Sequence, residues 1–173
     1  MKRTVKKTSK RTGASRPRSP RSPSRRAPRP SSLHAHALVA FAEVGRALGL
    51  RWYVFGAQAV SLHGFPRMTA DVDITVDPGR HSARSLLDEL VRAGFVPRVT
   101  DDAFIAATRV IPLVHRDSGI PVDVVLAGPG LEQLFLDAAV GKKIGRHVIP
   151  VIAPEHLVVT KLIAGRPKDL EDV

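Results

Sequence analysis

The chain has 173 residues, 43% of them hydrophobic, which is enough for one compact domain and short for two. It contains no Cys, which excludes disulfides and zinc sites built on Cys and is typical of a reducing cytoplasm, the location we predict. No apolar stretch approaches the length of a membrane span, and the charged N-terminus lacks the apolar segment of a secretory signal.

The net charge of +11 is concentrated in residues 1–31. This segment holds 12 of the 27 Lys and Arg and none of the Asp and Glu, so the other 142 residues carry 15 basic and 16 acidic side chains. The segment is rich in Arg, Ser and Pro and almost lacks large apolar residues, which predicts a disordered tail. Two interpretations stay open: a cationic tail that attracts nucleic acid through counterion release, or an extension with no specific role.

From residue 32 onward, helical and strand patterns alternate. Apolar residues at helical spacing predict helices over 33–48, 57–62, 82–93, 131–140 and 154–163. Short apolar or alternating runs predict strands over 52–55, 71–76, 107–115, 120–126 and 147–152. This order predicts an α/β (α+β) layered domain over residues 32–173. The chain stops at Asp-Leu-Glu-Asp-Val, which looks like the start of a helix without its body, so we expect an incomplete C-terminus.

Asp71 and Asp73 are the strongest candidates for a chemical role. Residues i and i+2 of a strand face the same side, so the two carboxylates project together while Val72, Ile74 and Val76 share the other face. Neighbouring carboxylates repel each other unless a cation lies between them, and Mg²⁺ binds both carboxylate oxygens and substrate phosphates. The pair therefore predicts a magnesium site, although an Asp-x-Asp pair alone is weak support.

Asp123 is a third carboxylate, set among apolar residues of the predicted strand 120–126. A charge there is costly unless it is paired or bound to metal. If this strand lies beside the strand of Asp73, three carboxylates converge and suit a two-ion site. Gly56, between the first strand and the helix over 57–62, would let the backbone approach phosphates near a helix N-terminus.

Two segments resemble a known superfamily. Phe55-Gly56-Ala57, thirteen further residues, Asp71-Val72-Asp73 and a later strand Asp are similar to the polymerase-β-type nucleotidyltransferase pattern. The segment VFGAQAVSLHGFPRMTADVDITVD looks more narrowly like the AbiEii-type nucleotidyltransferases, the toxin half of bacterial toxin–antitoxin and phage-defence pairs. PEHLVVTKLIAGRPKDLEDV resembles a later motif of that family, with matching residues Lys161, Lys168, Asp169 and Asp172.

The resemblance implies a mixed β-sheet flanked by helices, NTP as the donor substrate and Mg²⁺ as the cofactor. It implies that the three aspartates bind metal, that Gly56 and Ala57 lie against the nucleotide, that Lys161 contacts the triphosphate, and that Asp172 positions the acceptor hydroxyl or Lys161. The acceptor in some relatives is the 3′ end of tRNA, so RNA and an antitoxin protein are implied partners. Arg67 and Thr69 are candidates for phosphate contacts, or alternatively loop residues that cap the strand.

Ala57 departs from this pattern, which has Ser or Gly at that position. Alanine has no hydroxyl to donate to a phosphate, so a catalytically silent nucleotide- or RNA-binding module of the same fold is an alternative. A third possibility is transfer to a protein hydroxyl or a small molecule. His63 is expected to be structural, and the other histidines show no metal-ligand spacing.

Overall fold

A mixed sheet of seven strands forms the centre of the molecule, and six helices pack around it, within the part of the chain that the computed structural model describes, Met1 and residues 32–165. The helices are α1 (Ser32–Leu48), α2 (Gly56–Leu62), α3 (Ala83–Arg92), α4 (Asp102–Thr108), α5 (Leu131–Asp137) and α6 (Pro154–Ala164). The strands are β1 (Arg51–Phe55), β2 (Val72–Asp77), β3 (Phe95–Pro97), β4 (Val110–His115), β5 (Pro121–Leu126), β6 (Val140–Ile144) and β7 (His147–Val151). The predicted α/β class with a mixed sheet is confirmed. The predicted tail and Lys168, Asp169 and Asp172 lie outside the described residues.

The strand order is β3-β4-β5-β2-β1-β7-β6. The central strand β2 runs antiparallel to β1 and parallel to β5, and β7 is parallel to β1. The remaining neighbours are antiparallel. The strands of Asp73 and Asp123 are therefore neighbours, which meets the condition stated above for carboxylates on adjacent strands. Phe55, Asp73 and Asp123 stand level with one another across three strands.

The main core lies between one face of the sheet and helices α1 and α3. Side chains that alternate along β2 are fully buried there, namely Val72, Ile74 and Val76. Trp52 stands level with Val76 and meets Phe41 of α1 edge-on, with ring centres 5.0 Å apart. Burying each such side chain contributes about 1.5–3 kcal/mol, which fixes the register of β2. That register turns Asp73 to the opposite face.

Helices α5 and α6 cover part of the opposite face. Phe135 of α5 packs against Tyr53, and His156 of α6 packs against Phe135, with ring centres 6.4 and 4.8 Å apart. The region around Asp73 and Asp123 is left partly open, and both residues are only half-buried. No helix within residues 32–165 combines the length and the apolar character needed to cross a membrane.

The strand predicted over 107–115 begins at Val110 in the structure, three residues later than predicted. Ala107 and Thr108 belong to α4, and Arg109 ends that helix in the left-handed region at φ 58°. The side chain of Asp101 caps α4 by accepting a hydrogen bond from the N–H of Ala103 at 2.8 Å. Asp is a favoured capping residue, so Asp101 is a local signal for a helix start that precedes the β-branched residues of β4.

Two short strands were missed. The helix predicted over 131–140 ends at Asp137, and Val140 opens the edge strand β6, whose Gly-Lys-Lys interior has no apolar alternation. The strand β6 forms because its backbone pairs with β7. The other missed strand, β3, has only three residues and depends on pairing with β4.

His115 predicts a pH dependence of stability. It is buried, its Nδ1 lies 2.8 Å from the Ser118 hydroxyl, and its ring packs on Phe95. Burial lowers the pKa of His115 below its usual value of about 6.5. The unfolded chain therefore binds the proton more readily, so the free energy of unfolding should fall as pH drops below about 6.5. Urea unfolding between pH 7.5 and 5 should show a shallower fall in His115→Asn, and equal slopes would contradict this assignment.

Candidate active site

A cleft of about 620 Å³ opens on the half-covered face of the sheet. Every predicted site residue among the described ones lines it, namely Gly56, Ala57, Arg67, Thr69, Asp71, Asp73, Asp123 and Lys161. The other lining residues are Phe55, Met68, Ala70, Thr160 and Ala164. Residues far apart in the sequence are thus brought together by the order β5-β2-β1 and by the return of α6.

Asp73 and Asp123 are direct partners on parallel strands. Because parallel partners point to the same face about 4.8 Å apart, the two carboxylates share one surface of the cleft. Val72 and Val122, one residue earlier, are also partners and are buried on the opposite face. Burial of these two valines therefore fixes the strand register that places both acids on the cleft face.

Asp71 precedes the first residue of β2, and its position is fixed by Thr69. The Thr69 hydroxyl donates to Oδ1 of Asp71 at 2.6 Å and lies 3.2 Å from the Asp71 carbonyl oxygen. The geometry favours the strand-capping alternative for Thr69, while its place in the cleft wall keeps a phosphate contact as a prediction.

Gly56 lies against the Asp73 carboxylate. Its φ is +66°, and a Cβ placed on it would stand 2.1 Å from Oδ2 of Asp73. Only glycine avoids both the strained backbone and this overlap. The sequence explained this glycine by the approach of phosphates, whereas in the structure its close neighbour is a carboxylate.

Arg67 is held in the loop between α2 and β2 by Ser61. The Ser61 hydroxyl donates to the Arg67 carbonyl oxygen at 2.9 Å and lies 3.3 Å from the Arg67 backbone nitrogen.

His63 connects α2 to another part of the chain, since its Nε2 donates to the Ile152 carbonyl oxygen at 2.8 Å. This contact ties the end of α2 to the segment that leads into α6, which agrees with a structural role for His63.

Lys161 is placed in the cleft by α6, and only 5% of it is exposed. Pro154 in the first turn and Gly165, in the left-handed region after the last, bound this helix. The cleft is therefore lined by two basic side chains, the buried Lys161 of α6 and Arg67 of the loop between α2 and β2.

Arg98 was missed by the sequence analysis. It follows β3, and its guanidinium forms an ion pair with Oδ1 of Asp123. A single Arg after a three-residue strand gives no local signal, because the contact depends on the pairing of β3, β4 and β5.

The three carboxylates are suitable ligands for Mg²⁺, since they offer oxygen atoms from adjacent strands. Gly56 leaves room for the carboxylate of Asp73. Within residues 32–165, no three Asp, Glu or His side chains stand close enough together to hold a metal ion as they are. Asp71 is hydrogen-bonded by Thr69, and Asp123 is ion-paired with Arg98. The metal site therefore stays a prediction.

Comparison with solved structures gives the fold. An antigenic nucleotidyltransferase-like protein from Paracoccidioides brasiliensis matches with a TM-score of 0.58 and 19% identity, over 82% of this chain and 72% of that one. The chain has the nucleotidyltransferase fold. The antibiotic-resistance factor ANT(2″)-Ia (TM-score 0.55, 13% identity, 82% and 80% covered) and the lincosamide antibiotic adenylyltransferase LnuA (0.55, 16%, 83% and 93%) share this nucleotidyltransferase fold. No protein-family model and no curated protein sequence matches the chain.

Proposed function

We propose that this protein is a Mg²⁺-dependent nucleotidyltransferase that moves a nucleotide from an NTP to an acceptor hydroxyl. The observation that carries the proposal is that Asp71, Asp73 and Asp123 line the same cleft as Gly56 and Lys161. The nucleotidyltransferase fold of the chain supports it.

In this proposal the cleft binds the triphosphate between the aspartates and α6. Lys161 and Arg67 provide positive charge for the phosphates, and Asp71, Asp73 and Asp123 would hold Mg²⁺ in a two-ion site. Bound Mg²⁺ would activate the attacking hydroxyl and neutralise the leaving pyrophosphate. The acceptor oxygen forms a bond to the α-phosphorus, the α–β bond breaks, pyrophosphate leaves, and the hydroxyl proton passes to a cleft carboxylate.

The acceptor we propose first is the 3′ end of tRNA, with growth inhibition as the result, as the resemblance to AbiEii-type toxins implies. The excess of basic residues in residues 1–31 supports an RNA partner. By the same resemblance, an antitoxin protein would be the natural inhibitor, and Asp172 would position the acceptor or Lys161.

Two other functions have an observation in their favour. The likeness to a lincosamide antibiotic adenylyltransferase favours a small-molecule acceptor for the same chemistry. Ala57 in the cleft wall favours a catalytically silent nucleotide-binding module, because it provides no hydroxyl for a phosphate.

The test uses the full chain with each α-labelled NTP in turn, Mg²⁺, and three separate acceptors: total tRNA, a panel of lincosamides and aminoglycosides, and mixed protein. We expect label on tRNA that EDTA prevents. Label found only on an antibiotic or a protein would overturn tRNA as the acceptor and support nucleotide transfer to that other acceptor. Absence of label everywhere, together with calorimetric NTP binding, would overturn the enzyme proposal in favour of the silent module.

A further inference from the structure

The ion pair between Arg98 and Asp123 is a contact at the cleft that the proposed chemistry does not use. Arg98 lies just past β3, where its N–H donates to the Pro112 carbonyl oxygen at 2.8 Å. Its guanidinium then reaches Oδ1 of Asp123, which is two strands away.

The strand register explains why this contact needs a long side chain. Pro112 is level with Asp123, and Asp123 is level with Asp73, so Arg98 continues the same row across the sheet. Two strand spacings separate the backbones of Arg98 and Asp123 by about 10 Å. A long side chain with a forked charged end spans that distance, and shorter side chains do not.

The charges in this row explain what the pair does. Asp73 and Asp123 are like charges on directly opposed residues, an arrangement that destabilises a sheet unless a cation compensates it. Arg98 provides a cation at Oδ1 of Asp123, so a divalent ion that binds this oxygen has to displace the guanidinium.

We propose that Arg98 is the resident counter-ion of Asp123 and competes with the divalent cation for that carboxylate. The inference rests on the proposed function, because it assumes that the three aspartates bind a cation. Arg98 is a positioning residue in this scheme: it keeps Asp123 compensated before the cation arrives, and it has to leave that carboxylate when the cation binds.

The size of the effect follows from exposure. The side chains of Arg98 and Asp123 are 43% and 34% exposed, so the pair belongs with the weak, solvent-screened ion pairs. Such pairs contribute about 0.2–1 kcal/mol. Removing Arg98 should therefore tighten cation binding by about 1.4- to 5-fold.

The experiment measures Mn²⁺ binding to the full chain by electron paramagnetic resonance, with no nucleotide present. Arg98→Met should bind Mn²⁺ about 1.4- to 5-fold more tightly than the parent, and Arg98→Gln should behave in the same way. The matched control is Arg84→Met, which removes the same charge from an Arg paired with Asp88 and Asp102 away from the cleft. It should leave the affinity unchanged, which separates competition at Asp123 from a general charge effect.

Asp123→Asn completes the cycle. If the competition is direct, Asp123→Asn and the double variant Arg98→Met/Asp123→Asn should bind Mn²⁺ equally. Equal affinities of the parent and Arg98→Met, or weaker binding by Arg98→Met, would overturn the inference and leave the proposed function intact. Lack of Mn²⁺ binding by parent and variants alike would overturn both.

Discussion

Replacing Asp73 with Asn is expected to lower nucleotide transfer at least about 1000-fold while the fold persists. Asp73 is the central acid of the cleft, level with Asp123 on one side and close to Gly56 on the other. Asn keeps the shape but loses the charge that would hold the cation, and metal ions supply several kcal/mol of stabilisation to such transition states. A thousandfold loss corresponds to about 4 kcal/mol. Label transfer and Mn²⁺ affinity both measure the change.

Asp77→Asn is the matched control. Asp77 lies on the same strand and the same face as Asp73, four residues further on, outside the cleft and 3.7 Å from Arg51. It should transfer label at nearly the rate of the parent. The double variant Asp71→Asn/Asp73→Asn should be no more active than Asp73→Asn. Transfer by Asp73→Asn within tenfold of the parent would refute the assignment of the site.

Gly56→Ala should be the second most damaging change. The new methyl group would stand 2.1 Å from Oδ2 of Asp73, so the carboxylate has to leave its position. The backbone also has to hold a φ of +66°, which costs a non-glycine residue about 1–2 kcal/mol. We therefore expect a lower free energy of unfolding together with a loss of Mn²⁺ binding and of transfer.

Gly49→Ala separates these two effects. Gly49 has nearly the same φ, +65°, but nothing lies within 4 Å of a Cβ placed there. It should lose a similar 1–2 kcal/mol in urea unfolding and retain Mn²⁺ binding and transfer. If the two variants lost activity equally, backbone strain would explain the result and the contact of Gly56 with Asp73 would not.

The sequence predicted most of the fold because its apolar periodicity is strong where elements are long. The helix ending at Leu48 and the strand with Asp73 both carry a regular buried face, so their type and position agree with the structure. Short elements such as β3 and β6 carry no such face. They exist because neighbouring strands complete their hydrogen bonds, which a local pattern cannot reveal.

The residues of the candidate site also differ in how far the sequence could predict them. Asp71, Asp73 and Gly56 lie within one short stretch of sequence, so their grouping could be predicted before the sheet was known. Bringing Asp123 and Lys161 to the same cleft required the strand order, which the sequence offered only as a condition or through resemblance. Arg98 could not be found, because its partner lies 25 residues away and across two strands.

Trp52 is the chain's single tryptophan, and its position has a practical consequence. Its indole is buried against Phe41 on the side of the sheet that faces away from the cleft. Its emission should therefore change when the core comes apart and stay nearly constant when a molecule enters the cleft. Unfolding curves can thus be recorded by intrinsic fluorescence in the presence of nucleotide, whereas an optical binding assay needs a dye attached near the rim, for example at Met68 after its replacement by Cys.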